Sequence, residues 1–296
     1  MNCSRTPEMV TVRKAENEIR PDVARFLHEE MNPKISYERW LSLIDGRWAS
    51  EDAGYAFVAE EGDEIVGVLA AIYADRRING RDVRTCNLSS WYIRKSHRGG
   101  GLGFKMMSTA LSEPGVTFTT YSSNPPALSV CLKAGMTTLE THRMVWHTRG
   151  EPAKGEIVVM RDLEAAAHLM DPVSQRAISD HENLNIHPLA FRTEDGDLCT
   201  AVFSVKRKGE DVAFHEALYI SDRALFARNA RALADAILPS EKALMSVDSR
   251  LLAGHGAEPD ELWELPVNRG FQSAGLEAHE MDFLYSEIPL LDLKLY

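Results

Sequence analysis

A six-residue run, Arg98-Gly99-Gly100-Gly101-Leu102-Gly103, separates the apolar, strand-like Trp91-Tyr92-Ile93 from an amphipathic stretch between Phe104 and Leu111. Glycine has no Cβ, so consecutive backbone N–H groups in such a run can close around an anion. A helix beginning at the end of the run adds the positive end of its dipole, and Arg98 adds a full charge. The chemistry predicted is the binding of a phosphorylated ligand. Two other phosphate-binding patterns fail on the same residues. A nucleoside-triphosphate loop needs Gly-Lys followed by Ser or Thr, whereas Phe104 separates Gly103 from Lys105 and Met106 follows. A dinucleotide fingerprint needs GxGxxG, and Gly101-x-Gly103 leads to Met106. A glycine-rich turn that binds nothing is the remaining alternative, and the agreement of strand, arginine and helix stands against it.

The elements that must position this run can be read on either side of it. Val10 to Lys14 predicts a short strand. A helix opens at Pro21, a residue suited to a first helical position, and carries Val23, Phe26, Leu27 and Met31 at helical spacing. Ser36 is the N-cap of a second helix with Trp40, Leu41 and Ile44, broken at Asp45-Gly46. A β meander follows: Tyr55 to Glu60 and Ile65 to Tyr73 flank the turn Glu61-Gly62-Asp63, and Asn79-Gly80 signals a type I′ hairpin into Val83 to Ile93. Beyond the glycine run, Val116 to Tyr121 predicts a strand, and Pro125-Pro126 opens a helix that ends before Gly135. The expected order is β-α-α-β-β-β-α-β-α-β. Trp40, Trp91, Tyr92 and Trp146 have the spacing of core aromatics rather than of a substrate box. Arg76, Arg77, Arg81 and Arg84 cluster at the hairpin, either as a solvated tip or as cations for an anionic ligand.

The chain's 296 residues, 44% of them hydrophobic, suffice for two domains with a core each. A formal net charge of -11 argues against nucleic acid or an acidic membrane surface as partner and mildly favours cationic or amine substrates. Cys3, Cys86, Cys131 and Cys199 lack CxxC or Cys/His spacing, which predicts a reducing compartment and no metal. Met1 to Pro21 is polar and mixed in charge, and no apolar run reaches the roughly 18 residues of a membrane span, so a cytoplasmic chain is expected.

The second half echoes the first. Ala56-Phe57-x-x-Glu60-x-Gly62-Asp63 recurs as Ala190-Phe191-x-x-Glu194-x-Gly196-Asp197, and Tyr92-Ile93 as Tyr219-Ile220. Leu139-Glu140-x-His142-x-Met144-x-Trp146 recurs as Leu276-Glu277-x-His279-x-Met281-x-Phe283, after Gly135-Met136 and Gly270-Phe271. Shared order at roughly 130-residue spacing predicts a tandem duplication, with His142 and His279 in equivalent places as features of the fold. Where the glycine run should recur, Ser221 to Ala230 contains no glycine, so a pyrophosphate could not be wrapped there. The helix from Leu225 to Leu238 reads as packing, through Leu225, Ala232, Leu233, Ala236 and Ile237. Within the second half, His215-Glu216 just before Tyr219 is a further polar pair of open orientation.

Arg98-x-x-Gly101-x-Gly103 after a fourth strand resembles the signature [Arg/Gln]-x-x-Gly-x-[Gly/Ala] of the GCN5-related N-acetyltransferase (GNAT) family. Asn124-x-x-Ala127 with Gly135-Met136 resembles that family's fourth-helix region, and the likeness spans Val10 to Trp146. The resemblance implies an α/β (α+β) fold of tandem GNAT-like domains, each a mixed, mostly antiparallel sheet flanked by helices. Residues 1–150 are expected to bind acyl-CoA, and residues 151–296 to keep the fold without the pyrophosphate loop. It implies a co-substrate, acetyl-CoA or another acyl-CoA, held at Tyr92, Ile93, Arg98, Gly99, Gly100, Gly101, Gly103, Phe104 and Asn124, with pantetheine pairing to the strand around Trp91 to Ile93. Backbone N–H groups there could stabilise the oxyanion.

The family's usual acid is a tyrosine four residues before a Gly-Phe pair, and that position is Cys131 here, with Tyr121 or a water as substitutes. Glu29 and Glu30, ending the first helix, and Ser89 and Ser90, on the strand bordering the acyl group, are the other candidates for proton handling. His97 could meet a phosphate or water. The function expected is direct acyl transfer, acetyl first, to a primary amine of a small molecule or amino sugar. A CoA-binding sensor or scaffold without turnover and a binder of some other phosphate are the alternatives, and a homodimer is left open.

Overall fold

The computed structural model describes residues 9–149, 157–209, 211–273 and 275–295; Cys3 and the expected boundary at residue 150 lie outside these. The chain divides into two compact units. Unit 1 comprises Met1–Leu139, Arg269–Gly275 and Tyr285–Leu291, and unit 2 comprises Glu140–Asn268, Leu276–Leu284 and Asp292–Tyr296.

Unit 1 begins with β1 (Thr11–Lys14), α1 (Arg20–Phe26) continued by a π-helical stretch over Leu27–Met31, and α2 (Tyr37–Leu43). Pro21 stands in the first turn of α1 and the Ser36 hydroxyl caps α2 by accepting from the Arg39 N–H, as their types require. Then come β2 (Ala56–Glu61), β3 (Glu64–Ile78), β4 (Arg81–Ile93), α3 (Leu102–Leu111), β5 (Val116–Thr120), α4 (Pro125–Lys133) and β6 (Thr137–His147), which belongs to unit 2 from Glu140 onward. This is the element order expected for the first half. Asn79 and Gly80 both have positive φ, 48° and 76°, in the two-residue turn of the β3–β4 hairpin.

In the sheet, β1 to β4 pair antiparallel in sequence order and β4 pairs parallel with β5, from Arg84↔Val116 to Asn87↔Thr119. One face of it packs Phe57, Leu69, Cys86, Leu88 and Phe118 against Met106 and Met107 of α3 and Cys131 of α4. Burial of such side chains contributes about 1.5–3 kcal/mol each. Because side chains alternate along a strand, Asn87 and Ser89 project from the opposite face of β4 to Cys86 and Leu88.

Unit 2 runs β7 (Ile157–Met160), α5 (Leu163–Ala166), α6 (Pro172–Ser179), β8 (His187–Thr193), β9 (Leu198–Lys208), β10 (Val212–Ile220), α7 (Arg223–Ile237), β11 (Ala243–Asp248) and β12 (Glu261–Gln272). Here β7 to β10 pair antiparallel in sequence order and β10 pairs parallel with β11, the arrangement of β1 to β5 over again. The last strands are exchanged along the chain. The end of β12, Gly270 to Gln272, pairs with β5 of unit 1, and Arg143 to His147 of β6 pair with β11 of unit 2. A short helix, α8 (Glu287–Leu290), returns to unit 1.

Two of the sequence echoes fall on matching elements: the β2–β3 and β8–β9 hairpins, and the ends of β4 and β10. The third does not. His142 lies in β6, whereas His279 lies in a single 3-10 turn, Ala278–Glu280, beyond the end of β12. A likeness of residues there has no likeness of backbone behind it, because the strand has already ended. In α7, Leu225, Ala232, Leu233 and Ile237 are buried as expected, the buried face extends further to Phe226, Ala230 and Ala234, and Ala236 is exposed, a correction to the expected stripe. Arg143 in unit 2 is buried with Glu216, its Nη1 donating to Oε1 at 2.9 Å, and Lys208 Nζ donates to the same oxygen at 2.6 Å. Glu216 is thereby committed to the core of unit 2. Burial drives neighbouring His215 down to about 4, so its ring is neutral at physiological pH.

Candidate active site

Strand β4 ends at Ile93 and α3 starts at Leu102, so residues 94–101 form the connection that carries the glycine run. Gly101 is the N-cap of α3 at φ 79° and ψ 1°, a left-handed conformation that residues with a Cβ adopt at a cost. It offers no side-chain cap, whereas α2, α4, α6 and α7 are capped by Ser36, Asn124, Asp171 and Asp222. The N–H groups of the first turn of α3 have no partner within the helix, and with the helix dipole they make a site for an anion. A Cβ built on Gly99, Gly100 or Gly101 meets nothing within 4 Å, so this face of the loop is open. Gly103 differs: its Cβ would stand 2.9 Å from the Trp91 ring. That glycine is required for the close approach of α3 to β4.

Around this cradle, Arg98 folds back so that its Nε donates to the Ile93 carbonyl at 2.8 Å and its guanidinium lies 4.8 Å from the centre of the Tyr92 ring. Tyr92 in turn makes an edge contact with Phe26. Phe104 is half exposed in the first turn of α3. Asn124 is spent locally, since its side-chain oxygen caps α4 by accepting from the Ala127 N–H at 2.9 Å. His97 hydrogen bonds through Nε2 to Glu61 at 3.3 Å. The hairpin arginines have partners within unit 1: Arg84 pairs with Asp75, Arg77 with Asp82, Arg76 lies over the Tyr285 ring and Arg81 donates to the Gly275 carbonyl. Trp40 and Trp146 are core residues at 1% and 0% exposure.

The next feature is a bulge. Opposite β3 the register slips between Ser89 and Tyr92, and Ser90 there has φ 46°, left-handed although it is not glycine. The β4–β5 ladder stops at Asn87↔Thr119, while β4 continues to Ile93. From Leu88 onward, the edge of β4 turned away from β3 therefore offers backbone groups to an extended amide-bearing chain. The bulge also carries Ser89 and Ser90 with their hydroxyl oxygens 3.3 Å apart.

The predicted proton-handling residues are not gathered in one place. Cys131 is 1% exposed among Met106, Phe118 and Met136, and burial pushes its thiol up to about 11 against a smaller downward pull from Ser123. It is a protonated thiol near neutral pH. Glu30 belongs to the π-helical stretch and accepts from Arg94 Nε at 3.1 Å. Glu29, Glu30, Glu64, Phe26 and Arg94 line a pocket of about 240 Å³ rich in carboxylates. Tyr121, just past β5, is buried.

Absent from every sequence signal is Glu287, in the first turn of α8. Its backbone N–H donates to Asn87 Oδ1 at 3.2 Å and its Oε1 accepts from the Ser122 hydroxyl at 2.7 Å. Its side chain is fully buried, and Oε2 has no hydrogen-bond partner. Burial pushes this carboxyl up to about 7, against downward pulls from Ser122 and Arg269. A lone glutamate 200 residues from Asn87 in sequence carries no spacing that could announce it.

Among the described residues no group of three or more His, Cys, Asp or Glu side chains is placed to hold a metal, and no helix is long and apolar enough to cross a membrane. Residues 17–136 match the family model described as the acetyltransferase (GNAT) family. No curated protein matches the chain in sequence. Among solved structures, a GCN5-related N-acetyltransferase from Anabaena variabilis superposes with a TM-score of 0.54 at 11% identity, over 89% of this chain and 72% of that one. A GCN5-related N-acetyltransferase from Kribbella flavida gives 0.52 at 12% identity, over 90% and 71%. A probable N-acyltransferase from Enterococcus faecalis gives 0.53 at 12%, over 91% and 74%. At such identities these likenesses concern the fold. Together with the family match, they identify residues 17–136, which carry the glycine run, as matching the acetyltransferase (GNAT) family within a chain that has the fold of solved GCN5-related N-acetyltransferases.

Proposed function

We propose that this chain transfers an acyl group, acetyl by preference, from acyl-CoA to a primary amine of a small molecule or amino sugar by direct attack. One observation carries this reading: an uncapped, glycine-lined helix N-terminus lies at the end of a strand whose outer edge is left without a partner past Asn87. The cradle suits the CoA pyrophosphate through N–H groups from Gly99 to Phe104, and the edge of β4 suits the amides of pantetheine. Ser89, Ser90 and the bulge then border the thioester, where backbone N–H groups would meet the oxyanion. The carboxylate-rich pocket beside Phe26 and Glu30 supports a cationic acceptor. Residues 151–296 are read as a GNAT-like domain without the cradle. There β10 passes to α7 in two residues, and the Asp222 carboxylate already occupies the helix N-terminus, 2.8 Å from the Leu225 nitrogen.

The test is thermal stabilisation by CoA, followed by thiol release from acetyl-CoA over a panel of primary amines. Stabilisation should grow with CoA concentration as RT ln(1 + [L]/Kd), and at least one amine should accelerate thiol release. Gly100→Leu, whose Cβ enters open space, should abolish the CoA shift while keeping the melting temperature of the free chain. No shift with CoA would overturn the assignment; a shift without turnover on any amine would leave a sensor.

A further inference from the structure

Direct transfer requires that the amine nitrogen lose a proton, and the carboxylate that β4 itself carries, Asp82, is exposed at the hairpin end and paired with Arg77. The face of β4 that carries Asn87 and Ser89 is instead supplied with an acid by the far end of the chain. Glu287 is docked onto Asn87 through its own backbone N–H at 3.2 Å, and the Asn87 side chain is held by an Nδ2 contact to Thr119 Oγ1 at 3.3 Å. The carboxyl is anchored by one oxygen to Ser122, directly beyond β5, and keeps its second oxygen without a protein partner although fully buried. A buried acceptor left in this way is uncommon and asks for an explanation. Asn87 and Thr119 are also the last pair of the β4–β5 ladder, so Glu287 sits where the two strands cease to be joined. Ser89, two residues along the same face, lies about 7 Å further on.

Resting on the acyl-transfer reading above, we infer that Glu287 is the catalytic base, taking the proton of the acceptor amine on Oε2 directly or through one water while Ser122 holds Oε1. In the step, the amine lone pair forms the N–C bond to the thioester carbonyl carbon and the C–S bond breaks with its electrons on the CoA sulfur. The surplus proton on nitrogen passes to the Glu287 carboxylate, and the thiolate takes a proton from solvent. The side chain that holds the carboxyl is Ser122, donating its hydroxyl to Oε1, while Asn87 accepts from the Glu287 backbone N–H; the charge acting on the carboxyl is the buried Arg269 guanidinium. Burial favours the protonated form, and Ser122 and Arg269 oppose it, so that the group is poised near neutrality as a base requires.

Steady-state kinetics with acetyl-CoA and an amine that the panel shows to be turned over test this. Glu287→Gln should lower kcat about 100-fold or more, keep the KM for acetyl-CoA within about twofold, and remove the acidic limb of the kcat/KM profile. Ser122→Ala, which deletes the hydrogen bond that favours the carboxylate, should move that limb to higher pH. Wild-type kcat with an unchanged limb in Glu287→Gln would overturn the inference while leaving acyl transfer intact. If Glu287→Gln fails to melt cooperatively, Ser122→Ala decides, and an unmoved limb overturns the inference. A wild-type chain that binds CoA but turns over no amine would instead overturn the transfer reading and this one with it.

Discussion

Single side chains here owe their chemistry to desolvation. Cys86, Cys131 and Cys199 all lie buried, and burial raises each thiol above its ordinary value, to about 11 for the latter two. Peptide mapping after exposure to Ellman's reagent at pH 8 should therefore find these three unlabelled in the folded chain and labelled once it is unfolded. The same burial acts on Glu287 with consequences for stability. Its carboxyl rises from an ordinary 4.5 to about 7, so between those values the folded chain holds a proton that the unfolded chain has released. Stability contributed by this group therefore falls as pH rises through that window. His215, driven down to about 4, works in the other sense, since the folded chain refuses a proton that the unfolded chain accepts below about 6.5. Glu287→Gln isolates the first effect: its unfolding free energy relative to wild type should increase from pH 4.5 to pH 8, by up to about 3 kcal/mol. A difference that stays level across denaturant titrations at those pH values would refute the assignment of that proton.

At the scale of elements, α3 and the loop before it divide their glycines between two jobs. Gly100 and Gly101 keep the cradle open, whereas Gly103 lets α3 lie against Trp91. Gly103→Ala should therefore cost about 1–3 kcal/mol and lower the melting temperature, in contrast to Gly100→Leu, and differential scanning calorimetry separates the two. Glycine richness in the sequence is the same at both positions; only the packing tells them apart. Helices α2, α4, α6 and α7 are closed by their own side chains, and Asp222→Ala should cost about 1 kcal/mol by removing the cap of α7. Even with its cap removed, α7 should not gain CoA affinity, because its connection to β10 is too short to wrap a pyrophosphate.

Among the described residues, the order of strands and helices from β1 to β5 is repeated from β7 to β11, while the glycine-lined helix start of α3 is not repeated at α7. Element order up to β5 and β11, antiparallel pairing, the parallel β4–β5 and β10–β11 pairs and a bulge near the end of β4 and of β10 recur in the two units, whereas α4 is answered between β11 and β12 by a single 3-10 turn, Ser249–Leu251. Titration calorimetry with CoA should accordingly fit one equivalent per chain; two equivalents would show that α7 binds as well. The formal net charge of -11 resides on a chain whose glycine loop is locally basic through Arg98 and the α3 dipole. Raising ionic strength should thus weaken CoA binding through screening.

Read alone, the residue string determined the elements of the first half, the glycine run ahead of α3 and the lack of glycine between Ser221 and Ala230. Those are properties of neighbours in sequence: helical and strand periodicity, Ser36 and Pro125 at helix starts, Asn79-Gly80 at a tight turn, a glycine run between a strand and a helix. Tertiary structure alone decided the rest. It sent the end of β12 to β5 and part of β6 to β11, sorted His142 from His279, spent Asn124 on a cap and sealed Cys131 in the core. It also brought Glu287 to Asn87 and Ser122 from the other end of the chain. The reason is physical: a local pattern reports on hydrogen bonds and packing within a few residues, whereas the desolvation that makes a carboxyl into a base depends on which distant atoms exclude water from it.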